Sequence, residues 1–130
     1  MSTTETREKT HSEQQAQAQL ESIIEMVKAL DNEDEATAEQ ARETIHEDPL
    51  SIEVRSGWTT PGCDMKAAEF CILLCTGGPA CRIIGDLDEH DEPETCRIEH
   101  QDWGTPWTDY PLNSTQREYV LTYCRNFCFA

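Results

Sequence analysis

The apolar residues of this chain change their period once, at Asp48-Pro49, and that change limits the folds open to it. Before it, Leu20, Ile23, Ile24, Val27 and Leu30 recur at three- and four-residue steps, the stripe of one helical face. This spacing predicts a helix from Ser12 to about Leu30, broken by Asp31-Asn32. A second helix is expected from about Asp34 to His46, with Ala38, Ala41 and Ile45 on its narrow inner face. A residue before proline avoids the helical region, so Asp48-Pro49 closes it. Beyond Pro49, Ile52 and Val54 alternate with Glu53 and Arg55, the pattern of a half-buried strand.

Residues 67–76 are apolar on both faces and predict a central strand, Gly77-Gly78-Pro79 a turn, and residues 80–87 the next strand. A fourth strand is expected from about Thr95 to Trp103, with Cys81, Ile83, Cys96 and Ile98 on one side of an antiparallel meander. Residues 104–113 read as loop. Ser114 or Thr115 then caps a final helix carrying Val120, Tyr123, Cys124 and Phe127 on one face. Helices segregated from strands mean α+β: a three- or four-stranded antiparallel sheet, two N-terminal helices and one C-terminal helix. One domain accounts for residues 12–130, as a helical part (12–48) and a sheet with its C-terminal helix (49–130); the polar residues 1–11 are expected to be disordered.

Charge narrows the function. Ten Lys and Arg against 26 Asp and Glu leave a net charge of −16. Nucleic acid and anionic membrane surfaces need a cationic face, so neither is an expected ligand; a basic protein surface is. No run of apolar residues is long enough to span a membrane, and residues 1–15 lack an apolar signal core. An odd number of cysteines, seven, without an export signal reads as reduced thiols and a cytoplasmic location.

Two acidic features stand out. Glu35, Glu39, Glu43 and Glu47 recur every fourth residue, as do Glu21 and Glu25 on the first helix. Like charges stacked at that spacing are unfavourable by roughly 0.2–0.5 kcal/mol per pair. The ladder therefore suggests a negative docking stripe, with an ordinary solvated face as the competing reading. The second feature is Asp86, Asp88, Glu89, Asp91, Glu92 and Glu94, a solvated hairpin tip or a partner-facing finger. It is not a calcium loop: Asp91 stands where such a loop needs glycine. Trp103, Trp107 and Tyr110 form an aromatic segment suited either to a binding hot spot or to capping a sheet edge.

The cysteines read mainly as packing residues. Cys71 and Cys75, four apart on a strand, stand too far apart to share zinc; only Cys124 and Cys128, if both helical, could chelate. Cys63 is the expected exposed thiol and would need His90 or His100 as a base to act as a nucleophile. The usual catalytic signatures are missing, so no enzyme, metal or cofactor is expected.

The segments EDPLSIEVRSGW (47–58), ILLCTGGPACRIIGDLDE (72–89) and EPETCRIEHQDWGTPWTDY (92–110) resemble a group of small proteins encoded by phages, plasmids and integrative elements of proteobacteria. The likeness covers about residues 46–130 and leaves out the helical N-terminal part. It implies a genomic neighbourhood rich in anti-restriction and anti-CRISPR genes and implies no catalytic residues. Together with the charge, it predicts an inhibitor that occupies a basic nucleic-acid-binding surface of a host defence complex. The alternative is a structural or regulatory interaction protein that binds through its aromatic loop and sheet edge.

Overall fold

The computed structural model describes residues 10–130. The elements run α1 (His11–Leu30), α2 (Glu35–Glu47), β1 (Ser51–Ser56), β2 (Ala67–Cys75), β3 (Ala80–Asp86), β4 (Arg97–Gln101), β5 (Thr108–Tyr110) and α3 (Ser114–Cys124). All five strands pair with their neighbours in sequence order and antiparallel, which makes the sheet a meander. The α+β class, the two leading helices and the closing helix are those the period change predicts. One element is additional. Thr108–Tyr110 adds a fifth strand to the β4 edge, inside a segment that reads as loop because Pro106 and Pro111 flank it. Of the expected disordered stretch 1–11, residues 1–9 lie outside the described residues; Thr10 and His11 open the first helix.

Thr10 and Glu13 form a capping box at the start of α1, each satisfying a backbone N–H of the other. One face of α1 buries Ser12, Ala16, Leu20, Ile23 and Val27. That stripe packs on β3 and β4, on α2 and on α3. Asn113 and Gln116 build the same capping box on α3, one residue before the expected cap. The core between helices and sheet is Ile23, Ile45, Ile72, Ile83, Ile98, Val120 and Tyr123, each fully buried. Complete burial of one such isoleucine contributes roughly 1.5–3 kcal/mol, and both layers contribute to the same core.

Two backbone features fix the sheet. Ile83 pairs with Ile98, which puts Cys81, Ile83 and Ile98 on the helix-covered face; Cys96, just before β4, is buried as well. Gly85 allows the chain before β4 to cross close to β3: a Cβ there would fall on the Thr95 carbonyl oxygen and lie 2.9 Å from Phe70 Cε1. Only glycine fits that crossing. β2 is an interior strand, second from the β1 edge, and its residues 67–75 run from half-buried to alternately buried and half-buried, so only one of its faces is covered.

α2 is held by little. Its buried residues are Ala38, Ala41 and Ile45, and two of the three are small. Its far end is tied by polar contacts: Tyr123 Oη donates to Asp48 Oδ2 at 2.7 Å, and His46 Nε2 donates to the Asn126 carbonyl at 2.8 Å. Burial, and then the Asp48 contact, raises the Tyr123 pKa well above its ordinary value of 10.0.

Candidate functional site

Glu35, Glu39, Glu43 and Glu47 on α2 and Glu21 and Glu25 on α1 are all exposed. Among the described residues they meet little compensation: Arg42 reaches Glu39 at 3.7 Å, and Gln17 Nε2 donates to Glu21 at 3.3 Å. The groove between the helices is lined on α2 by Ala36, Thr37, Gln40, Ala41 and Thr44, and of the six carboxylates only Glu25 borders it. The rest of that groove is uncharged, and the α2 row, with four carboxylates against two, is the longer.

The acidic hairpin tip is ordered by its own backbone. Asp88 Oδ1 accepts the N–H groups of His90 at 2.8 Å and Glu92 at 3.1 Å, and these bonds hold the Asp88 carboxyl below its usual pKa. Asp91 takes a positive φ of 61° and pairs with Lys66 at 3.0 Å. Asp86 accepts from Thr95 Oγ1 at 3.0 Å. Asp86, Asp88 and Asp91 are thus occupied in shaping the turn, while Glu89, Glu92 and Glu94 stand exposed.

The aromatic segment divides in the structure. Trp103 is 88 % exposed. Trp107 lies over the Arg82 guanidinium, 4.1 Å from ring centroid to carbon, and Tyr110 meets His100 edge-on at 6.2 Å. Trp107 is therefore part of the uncovered face of the sheet, and Tyr110 sits in the edge strand β5.

That uncovered face is charged and self-neutralised, which sequence reasoning missed. Arg55 meets Glu69 at 2.7 Å, Arg82 meets Glu99 at 2.7 Å, and Arg97 bridges Glu99 at 3.3 Å and Asp109 at 3.5 Å. Glu99 is buried although no helix covers it, because its neighbours Arg82 and Arg97 enclose it. The signal was present: these residues occupy the polar phase of successive strands. Pairing them required the register.

A second missed cluster is Ser12, His100 and Asp102, which joins the start of α1 to β4. Ser12 Oγ donates to Asp102 Oδ2 at 2.8 Å and lies 2.8 Å from His100 Nδ1, and Ser12 N–H donates to Asp102 Oδ1 at 3.0 Å. The residue types are those of a hydrolase triad, but the order of contacts differs. With its only proton given to Asp102, the hydroxyl accepts from His100 Nδ1–H. A nucleophilic serine needs the opposite, an imidazole that takes its proton. Ser12 is also 1 % exposed, so no substrate carbonyl reaches it. The cluster is a clamp, and its bond to Ser12 holds the Asp102 carboxyl below its ordinary pKa.

All seven cysteines are free. Burial pushes the thiol pKa up to about 12 at Cys81, up to about 11 at Cys96 and well above 9.0 at Cys124. Helix α3 ends at Cys124, leaving Cys128 beyond it and exposed, so the four-residue helical spacing considered for zinc is not formed. Among the described residues no three His, Cys, Asp or Glu side chains converge in a metal-binding arrangement. Cys63 is exposed, and neither candidate base hydrogen-bonds it: His90 Nε2 lies 3.5 Å from Glu89 Oε1 and His100 turns to Ser12. Among the same residues no helix is long and apolar enough to cross a membrane.

Comparison of the chain with protein-family models, with curated proteins and with solved structures finds no match.

Proposed function

We propose that this chain is an acidic, non-catalytic binding protein of a mobile element that inhibits a host defence complex, of the anti-CRISPR or anti-restriction kind, by occupying a basic nucleic-acid-binding surface. The observation that carries the reading is the row Glu35, Glu39, Glu43 and Glu47. All four are exposed, and among the described residues the ion pair found on the row is Arg42 with Glu39 at 3.7 Å. Carboxylates in this state stand in for phosphates: they steer association with a cationic groove and replace the charge that nucleic acid would bring. Three of the ten cations, Arg55, Arg82 and Arg97, are engaged by carboxylates on the open sheet face, which supports a protein partner over direct contact with nucleic acid. Host, mobile element and cytoplasmic site of action rest on the resemblance of residues 46–130 and on the free thiols. Capture on immobilised protein from a proteobacterial lysate, followed by elution with double-stranded DNA, tests the reading: the eluted complex is a nucleic-acid-handling one.

One observation favours a second reading, an interaction protein that works by shape. Trp103 and Trp58 are exposed at loop positions where neither contributes to the core. Under that reading capture survives DNA and fails when the tryptophans are removed.

A further inference from the structure

The helix layer stops short of one edge of the sheet. Val54 and Ile52 stand opposite Phe70 and Ile72 on the helix-facing side of the sheet, yet their exposures are 46 % and 37 % against 2 % and 0 %. Leu50, just before the strand, is 59 % exposed, and Trp58, just after it, is fully exposed. The backbone of β1 is unpaired on its outer side, because β1 ends the sheet order. The other edge is protected: β5 has three residues between Pro106 and Pro111. β1 is longer, six residues with Ile52 and Val54 on its helix side, and its free backbone groups are a template for a strand whose charges complement Glu53 and Arg55.

We infer that β1 pairs antiparallel with β1 of a second copy about a two-fold axis through Val54, joining two five-stranded meanders into one sheet. A two-fold axis perpendicular to the sheet keeps the helix-covered faces on the same side, and each strand residue can serve as its centre. Centring on Glu53 sets Glu53 against itself, and centring on Arg55 sets Arg55 against itself. Like charges directly opposite are unfavourable. Centring on Val54 sets Glu53 against the partner's Arg55, twice, on the open face, and Val54 against the partner's Val54 on the helix side. In the same register Ile52 faces the partner's Ser56, and Leu50 and Trp58 flank the two ends of the paired strands. Centres further out pair fewer residues. Arg55 already reaches Glu69 within its own chain, so a partner's Glu53 extends an existing ionic row. The opposing influence is the net charge of −16 on each copy, which about 0.15 M salt screens beyond roughly 8 Å. The inference is independent of the proposed inhibitory role.

Sedimentation of the full chain at that ionic strength tests it. The wild type sediments as a dimer in a monomer–dimer equilibrium. Glu53→Arg sets Arg against Arg and Arg55→Glu sets Glu against Glu, so each alone raises the dissociation constant roughly tenfold to a hundredfold. An equimolar mixture of the two variants restores the dimer, because every cross-strand pair is again of opposite sign. Restoration on mixing separates lost pairing from lost folding. Val54→Lys, at a position exposed in the monomer, gives a folded monomer by circular dichroism and sedimentation. A wild type that stays monomeric into the millimolar range overturns the inference. So does a Glu53→Arg protein that dimerises as well as the wild type, or a mixture that remains monomeric.

Discussion

Arg82 and Glu99 face each other across β3 and β4, with Nη2 2.7 Å from Oε1, on the side of the sheet that no helix covers. The Glu99 side chain is 10 % exposed and Arg82 28 %, so the pair is shielded from solvent, and Arg97 shares the same carboxylate. Glu99→Ala leaves Arg82 without its carboxylate and Arg97 with Asp109 alone. The expected loss is about 2 kcal/mol, below the figure for fully buried pairs because Arg82 keeps access to water. Trp107→Ala removes the ring over Arg82 and is expected to destabilise by roughly 0.5–1 kcal/mol. Urea denaturation of both variants checks the order of the effects.

Ser12→Ala is expected to loosen the start of α1. It removes a buried hydrogen bond to His100, a loss of about 1 kcal/mol, and it removes the main cause of the lowered Asp102 pKa. The sign follows from linkage: a carboxyl whose folded pKa lies below its unfolded value stabilises above the unfolded value and loses that contribution as pH falls through the folded one. The difference in stability between wild type and variant should therefore narrow as pH drops below 3.8. A difference constant from neutral pH to the acid limb would show that Ser12 does not act through Asp102.

Thiol chemistry should sort by position. Cys63 and Cys128 react with a thiol reagent in the native protein, Cys71 and Cys75 more slowly, and Cys81, Cys96 and Cys124 only after unfolding. The same burial makes the fold sensitive to alkali. Unfolded thiols lose protons near 9.0, while Cys96 holds its proton to about 11 and Cys81 to about 12. The unfolded state then binds fewer protons than the folded one, so stability falls as pH rises above 9.0, before ordinary tyrosines ionise near 10. Denaturation midpoints across that range measure the fall.

The period of the apolar residues made the layers legible, because helix and strand spacing differ and Asp48-Pro49 separates them. Local signals placed most boundaries within one or two residues. β5 was hidden because it is three residues between prolines and owes its strand to pairing with Ile98, Glu99 and His100. The last helical turn was over-extended, since Phe127 packs edge-on against Tyr123 at 5.4 Å from outside the helix. Clusters that depend on register or distant contact were out of reach: Ser12 and His100 lie 88 positions apart, and Arg82 meets Glu99 only once β3 and β4 are aligned. The exposure of the carboxylate ladder, by contrast, followed from spacing alone, since Ala38, Ala41 and Ile45 fixed the opposite face.

The central claim is that binding is carried by the negative row on α2. Residues 1–49 hold a net charge of −9 and residues 50–130 a net of −7, so the helical part carries more than half the charge in well under half the length. The deciding measurement is retention of a captured nucleic-acid-binding complex on three immobilised proteins: wild type, the triple variant Glu35→Lys/Glu39→Lys/Glu43→Lys, and the double variant Trp58→Ala/Trp103→Ala, which removes the exposed tryptophans. The triple variant keeps its fold, because the replaced side chains are exposed. The account predicts that the wild type retains the complex, that retention weakens as salt rises and the charges are screened, that double-stranded DNA displaces it, and that the triple variant loses it while the double variant largely keeps it. Retention that ignores salt, DNA and the triple reversal, but fails on loss of Trp58 and Trp103, would contradict the account.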